Sequence, residues 1–545
     1  MRSLRFSTLM LLILILSGCQ GEGITPQPND NPVNGTPEPL IMRTSTAVIS
    51  TPAPTPTDKP RLTYWIDPDI PRSVRDVICV PPEFQPAASA EQAGMQLVAG
   101  SAQAIASQQV YALAGRFALL DDEASLADLK QAWSGKDTWM LEMSQVTYAG
   151  FEKLWGKTNA IRIADFFDTL RADLWANPQA LGLIPFDQLT PDLKVLRVDG
   201  LSPLQKDLEI SQYPLKVEYG WQGDAGVLAN WKKSCKTTTN RDESLMTDVL
   251  MTGVTALTRG TAARMAENGI HYPAEKILDW LRSADFTHIS NEVSFYSACP
   301  APLPLRAGGR FCSQIDFINL LTYAGVDIVE LTGNHLNDWG TGAMTASLAM
   351  YQQAGISTFG GGPNAEAARQ PLLVEHNGNR LAFIGCNSVG PTEDWATETM
   401  PGAAQCDMDW LSEEVAELKS GGYLPIVTFQ GFELCEFKPH STQREAAQQM
   451  VEAGAVIVSG SQAHCPQAYD FKGDTFIHYG LGNLWFDQMD WITRQELLDR
   501  HIFYAGRHIS TEVLTAMLED SAQPRPMTDA ERKILLEMLF QASGW

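Results

Sequence analysis

Between residues 286 and 483 the side chains able to do chemistry recur at one kind of place, just after a short apolar run. Asn291 and Glu292 follow FTHIS (286–290), and Gly333-Asn334-His335, with Asp338 close behind, follow DIVELT (327–332). Gln430 and Glu433 follow PIVTF (425–429). Ser461, Gln462 and His464 follow AVIVS (455–459), and Gly482-Asn483 follow TFIHY (475–479). Carboxylate, imidazole and amide oxygens suit a divalent cation of the zinc, manganese or iron type. Such an ion polarises a phosphoryl or carbonyl oxygen and acidifies a bound water. Each residue taken singly has a plainer reading. Asn334 after glycine could cap a turn, His335 could be a satisfied core histidine, and Asp338 could cap a helix beginning near Thr341. A buried Glu292 is harder to dismiss, because an unpaired carboxylate in the interior is costly. The recurrence carries more weight than any member.

The elements that must position these residues are legible as alternating strands and helices. Strands are expected at 248–252, 286–290, 327–332, 381–386, 425–429, 455–459 and 475–479. Amphipathic helices are expected between them at 274–282, 314–323, 342–353, 409–419 and 441–452. Short apolar strands alternating with helices predict an α/β fold with a largely parallel sheet buried by helices. In such a sheet the carboxyl ends of the strands share one edge, where ligands bind. The five polar loops therefore converge on one crevice. Residues 509–545 are expected to be a helical appendix.

The chain has 545 residues and a formal net charge of −24, which repels nucleic acid and anionic lipid surfaces. Arg2 and Arg5 precede the apolar run Leu9–Leu16, and Leu16-Ser17-Gly18-Cys19 follows, a secretion signal in residues 1–19. That ending resembles a bacterial lipobox, so Cys19 is expected to be lipidated and to anchor an extracytoplasmic protein to the membrane. Residues 20–60, rich in Pro and Thr, are too poor in large apolar groups to fold and read as a tether. Eight further cysteines in an exported chain make disulfides plausible. Sequence proximity suggests Cys299–Cys312 and Cys386–Cys406, with Cys79–Cys235 and Cys435–Cys465 as longer closures. Cys435 and Cys465 share loops with Glu433 and His464, so they either bridge or serve as thiolate ligands.

Over residues 245–504 the chain resembles the CapA family of capsule and poly-γ-glutamate synthesis proteins. The matching stretches are MTGVTALTRG, ADFTHISNEVSF, VDIVELTGNHLNDWGTGAM, GISTFGGGPNAEAA, FQGFELCEF, EAGAVIVSGSQAHCPQAYDFKG and IHYGLGNLWFDQ. The resemblance implies a metallophosphatase-like α/β sandwich over 244–508 and a role in making, anchoring or exporting the polymer. In it Glu292, Asn334 and His464 would hold a divalent metal. His335, Asp338 and Glu433 would be catalytic, and Asn291, Gln430, Gln462 and Asn483 would contact substrate. The chain departs from the family pattern at three places. Val254 stands where Gly-Asp is usual, Phe429-Gln430-Gly431 replaces His-Trp-Gly, and Gly460-Ser461-Gln462-Ala463-His464 keeps only the last histidine of Gly-x-His-Pro-His. These losses weaken a two-metal centre and leave one weak metal or none. Residues 61–240 resemble a smaller α/β domain of the type 2 periplasmic phosphate-binding kind, through DLKQAWSGK, LGLIPFDQL and LRVDG. Two readings follow: a metal-dependent hydrolase acting on an anionic envelope polymer or a phosphorylated small molecule, and a non-catalytic module binding such a polymer or solute.

Overall fold

The structure is a computed structural model that describes residues 62–100, 102–136, 139–303, 309–431 and 433–545. Cys19, its signal segment and the stretch 20–60 lie outside the described residues. Pro60–Trp545 form one compact unit.

The second half is a sandwich of two sheets. Its strands in chain order are β1 (Met246–Thr255), β2 (Phe286–Asn291), β3 (Ile328–Glu330), β4 (Ser357–Phe359), β5 (Leu372–His376), β6 (Asn379–Asn387) and β7 (Leu424–Gln430). There follow β8 (Ile457–Gly460), β9 (Tyr469–Lys472), β10 (Thr475–His478), β11 (Gln495–Tyr504), β12 (Arg507–Glu519) and β13 (Gln523–Pro526). One sheet runs β4-β3-β2-β1-β11-β12-β13, with β1 to β4 parallel; the other runs β5-β6-β7-β8-β10-β9, with β6, β7, β8 and β10 parallel.

The period of two along each strand explains the layering. Val249 and Met251 of β1 face the space between the sheets, where they meet Phe383, Ile426, Ile457 and Phe476. Leu250 between them packs outward with Met265, Leu281, Leu321 and Met344. Those residues belong to helices Arg259–Asn268, Leu278–Ser283, Ile318–Ala324 and Thr341–Ala354. On the other sheet Ile384, Val427 and Val458 pack under Leu411, Val415 and Met450 of helices Met408–Ser420 and Ser441–Ala453. Both faces of both sheets are covered, which is why these strands read as unbroken apolar runs.

The expected helical appendix is corrected. Arg507–Glu519 is a 13-residue strand pairing antiparallel with β11, and only Asp529–Ser543 is helical. Ala505 and Gly506 form the turn at φ 49° and 78°, as a tight hairpin needs. Ile509, Thr511, Val513 and Thr515 then supply β-branched residues at every second position.

The first half is built on a further mixed sheet. Its 13-residue strand Ala104–Arg116 pairs first with Lys216–Gly223 and then with Ala180–Pro185 and Leu193–Val198. Helix Leu126–Trp133 begins where Ser125 accepts the Asp128 N–H. The halves share packing: Met246, Ile502 and Ile509 join the first half's core, and Asp122 receives both the Nε and the Nη2 of Arg532 at 2.8 and 2.9 Å.

Candidate functional site

The polar loops do meet at the carboxyl ends of the parallel strands. Two glycines let them close. A Cβ on Gly253 would lie 2.1 Å from the Gly482 carbonyl, and one on Gly333 would lie 2.3 Å from the Glu292 Cα. The backbone of Val254 is locked against the loop that follows β10, its N–H on Gly482 O at 3.0 Å.

Glu292 sits at the bottom, 1% exposed, with its Oε2 lacking any hydrogen-bond partner. Burial raises its pKa, while His464 and His335 oppose the rise. His335 Nδ1 lies 2.8 Å from Asp338 Oδ2, which also accepts the Phe311 N–H at 2.6 Å. Burial pulls the His335 pKa down, but the Asp338 hydrogen bond and the Glu292 charge outweigh it and leave it raised. Asp338 does not cap the helix at Thr341; that N-cap is Gly340.

On the opposite wall His464 Nδ1 bonds Asn483 Oδ1 at 2.8 Å. An amide oxygen only accepts, so Nδ1 carries a proton, and Nε2 faces Gln462 and Glu433. Gln462 donates to Glu433 Oε1 at 2.9 Å, and His464 Nε2 lies 3.9 Å from the same oxygen. Gln430, fully buried, links Asn334 at 3.4 Å to the hydroxyl of Ser461 at 2.9 Å. Asn291 is also buried and commits its amide to Val293 O and the Tyr351 hydroxyl, a brace below Glu292. Cys435 and Cys465 form a disulfide joining the Glu433 and His464 loops; Cys79–Cys235, Cys299–Cys312 and Cys386–Cys406 are also bonded.

Arg259, Phe311 and Phe486 escaped the sequence reading. The Arg259 guanidinium lies 4.8 Å from the Phe311 ring centre and 5.0 Å from that of Phe486. Phe311 in turn meets the His335 ring edge-on at 4.4 Å, and Phe486 stacks on His464 at 5.0 Å. A ladder His464–Phe486–Arg259–Phe311–His335 thus spans the crevice. Asp487 fixes the arginine, accepting its Nε at 3.1 Å and the Gly260 N–H at 2.8 Å. The rule that found the other residues, polar groups just beyond a strand, also points to Arg259 after β1. Asp394 was missed too; burial outweighs its Asn337 hydrogen bond and pushes it up to about 6. Arg259, Gln462, His464 and Trp485 all hold φ between 44° and 64°, conformations that cost energy in non-glycine residues and gather at functional sites.

The unpartnered Glu292 oxygen invites a cation, but among the described residues no three His, Cys, Asp or Glu side chains are grouped to share one. Val254 cannot ligate, Gln430 and Gln462 are poor ligands, and both Nδ1 atoms of His335 and His464 are committed. The set does not fit a two-metal centre. In the first half, a cavity of about 440 Å³ is lined by Asp67, Asp69, Glu152 and Lys153, an acidic balance that disfavours phosphate.

Residues 248–488 match the family described as bacterial capsule synthesis protein PGA_cap. The chain is 28% identical over 213 residues to the capsule biosynthesis protein CapA of Bacillus anthracis, covering 38% of this chain and 51% of that one. It is 25% identical over 172 residues to the PGA biosynthesis protein CapA of Bacillus subtilis, covering 31% and 45%. The chain thus spans about half the length of the curated relatives it matches. Among solved structures, a hypothetical protein from Thermus thermophilus aligns at 15% identity and TM-score 0.32, covering 50% of this chain and 100% of that one. An ABC-type phosphate transport receptor from Vibrio cholerae aligns at 12% identity and TM-score 0.26, covering 31% and 90%. Both structural likenesses are weak. Through residues 248–488 of the sandwich, this chain is thus similar to the bacterial capsule synthesis proteins described as PGA_cap.

Proposed function

We propose that the chain acts in capsule synthesis by engaging an anionic envelope polymer, poly-γ-glutamate or a similar polycarboxylate, in the crevice between its two sheets. The observation that carries this reading is the row of N–H donors along the crevice. His335, its pKa raised through Asp338 and Glu292, stands one aromatic ring away from Arg259, and each is held in place by its own carboxylate, Asp338 and Asp487. Charge-assisted donors fixed in this way recognise carboxylates at close range. The names of the two Bacillus relatives, which concern capsule and PGA biosynthesis, support the same polymer class. Lipidation at Cys19 would hold the protein at the envelope, with residues 20–60 as its tether. Among the described residues no helix is long and apolar enough to cross a membrane.

A second reading, cleavage of the polymer or of a phosphoester, rests on the His335–Asp338 pair. A protonated imidazole held by a carboxylate can give its proton to a leaving group, with Glu433 orienting water. No step of it passes through a metal.

The test is calorimetric titration of the purified full chain with a γ-linked glutamate oligomer at low ionic strength, with chromatography of the mixture for shortened products. Binding that weakens about tenfold in His335→Ala supports the proposal, and product formation lost in the same variant selects the second reading. A properly folded chain that binds no polycarboxylate and releases no product overturns both.

A further inference from the structure

Beside the crevice, behind the Phe311 wall, lies a cavity of about 310 Å³ lined by Arg259, Arg310, Thr258, Gln314 and Trp339 and by the Cys299–Cys312 disulfide. It opens partly to solvent and shares Arg259 and Phe311 with the ladder that reaches His335. Two guanidinium groups on one cavity are notable in a chain with 40 basic and 64 acidic residues. Asp487 engages Nε and Nη2 of Arg259, and a guanidinium carries five N–H donors, so the pairing does not use all of them. The Trp339 ring forms part of the cavity wall. The bridge between Cys299 and Cys312, 13 residues apart, ties down the segment that carries Phe311 and Arg310.

We propose that this cavity is an oxyanion subsite, taking a carboxylate or phosphate group of the ligand next to the one held at His335. The inference rests on the crevice being a site for an anionic chain. Arg259 and Arg310 would grip the oxyanion through charge-assisted N–H bonds, strongest when the donors form a planar fork. A linear polyanion would then be read at two points, His335 and the arginine pair, which sets its direction along the crevice.

The full chain is titrated with a γ-linked glutamate oligomer and, separately, with inorganic phosphate, for the unsubstituted protein, Arg310→Glu and Arg75→Glu. Arg310 is exposed, so its replacement leaves the core intact; Arg75 is an exposed residue of the first half that controls for the change in net charge. The expected result is a loss of about tenfold or more in oligomer affinity for Arg310→Glu and little change for Arg75→Glu. Phosphate binding that depends on Arg310, without oligomer binding, supports the subsite, assigns it to phosphate and rejects the polymer reading. Oligomer affinity equal in all three proteins overturns the subsite and leaves the crevice reading standing. An unsubstituted chain that binds neither ligand overturns both.

Discussion

The Cys435–Cys465 disulfide offers a sharp test of how the crevice is held. It closes 30 residues across Cα atoms 5.1 Å apart and ties the Glu433 loop to the His464 loop. Closing a loop restricts the unfolded chain, and the chain-entropy relation gives about 3.6 kcal/mol for a closure of this length. Cys79–Cys235 closes 156 residues in the first half, and the same relation gives about 5 kcal/mol. Replacing each pair by serines therefore yields two variants whose stability and binding effects rank in opposite orders. Cys79→Ser/Cys235→Ser loses more stability, read as the urea midpoint, yet keeps its affinity for a γ-linked glutamate oligomer. Cys435→Ser/Cys465→Ser loses less stability but binds more weakly. Glu433 is 62% exposed at its side chain, and its Gln462 bond at 2.9 Å depends on the two loops staying together. Unchanged affinity in Cys435→Ser/Cys465→Ser would refute the claim that this bridge shapes the site. A reversed stability ranking would refute the entropic estimate.

Two pH predictions concern groups buried between the sheets and at the start of β1. Burial, partly offset by Arg500, raises Asp248 to about 7, so the fold is increasingly destabilised as pH climbs from about 4 through 7. The relief on acidification from pH 7 to 5 is about 2.3 kcal/mol. His508 and His501 shift the other way: burial lowers His508 to about 3 and His501 well below its usual value. Their contribution is intact above about 6.5 and shrinks as pH falls, by about 2 kcal/mol at pH 5 for His508, with His501 adding in the same direction. Other buried carboxyls with raised pKa, Asp394 and Glu496 among them, also gain on acidification, so each assignment is read from the difference between a variant and the unsubstituted protein. Asp248→Asn is expected to be more stable at pH 8 and to lose midpoint more steeply below 6.5; a profile parallel to the unsubstituted one contradicts the assignment. His508→Gln is expected to gain midpoint relative to the unsubstituted protein as pH falls from 7 to 5, and a profile parallel to the unsubstituted one contradicts that assignment.

The sandwich strands were legible because both their faces are buried: IVELT, PIVTF and AVIVS are apolar runs of the right length, bounded by turn residues. The convergence of Glu292, His335 and His464 followed from strand direction alone. What escaped was set by contacts distant in sequence. Nothing near Arg259 announces that Phe486, more than 200 residues later, will lie against its guanidinium. Asn291 reads as a rim residue from its position at the end of β2, yet its amide turns to Tyr351 of a helix whose packing no local pattern discloses. β12 reads as part of a helical end because its alternation is diluted by buried polar residues. His508, Ser510 and Thr511 occupy the interior by bonding one another, His508 Nε2 lying 3.0 Å from both Ser510 O and the Thr511 hydroxyl.

The departures from the family pattern are coherent as a set. An aspartate at 254 would add a second carboxylate near Glu292 in a fully buried position, a placement that only a bound cation makes tolerable. Valine there removes the need for that cation, and Glu292 is left facing the imidazoles of His335 and His464. Gln430 and Ser461 complete the change. Their side chains satisfy each other and Asn334, so a neutral hydrogen-bond network occupies ground that ligands would otherwise hold. Charge-assisted donors lie farther out, on Arg259 and on His335, whose pKa its Asp338 hydrogen bond helps to raise. A crevice arranged in this way is better suited to hold a polyanion by its charges than to activate water on a metal.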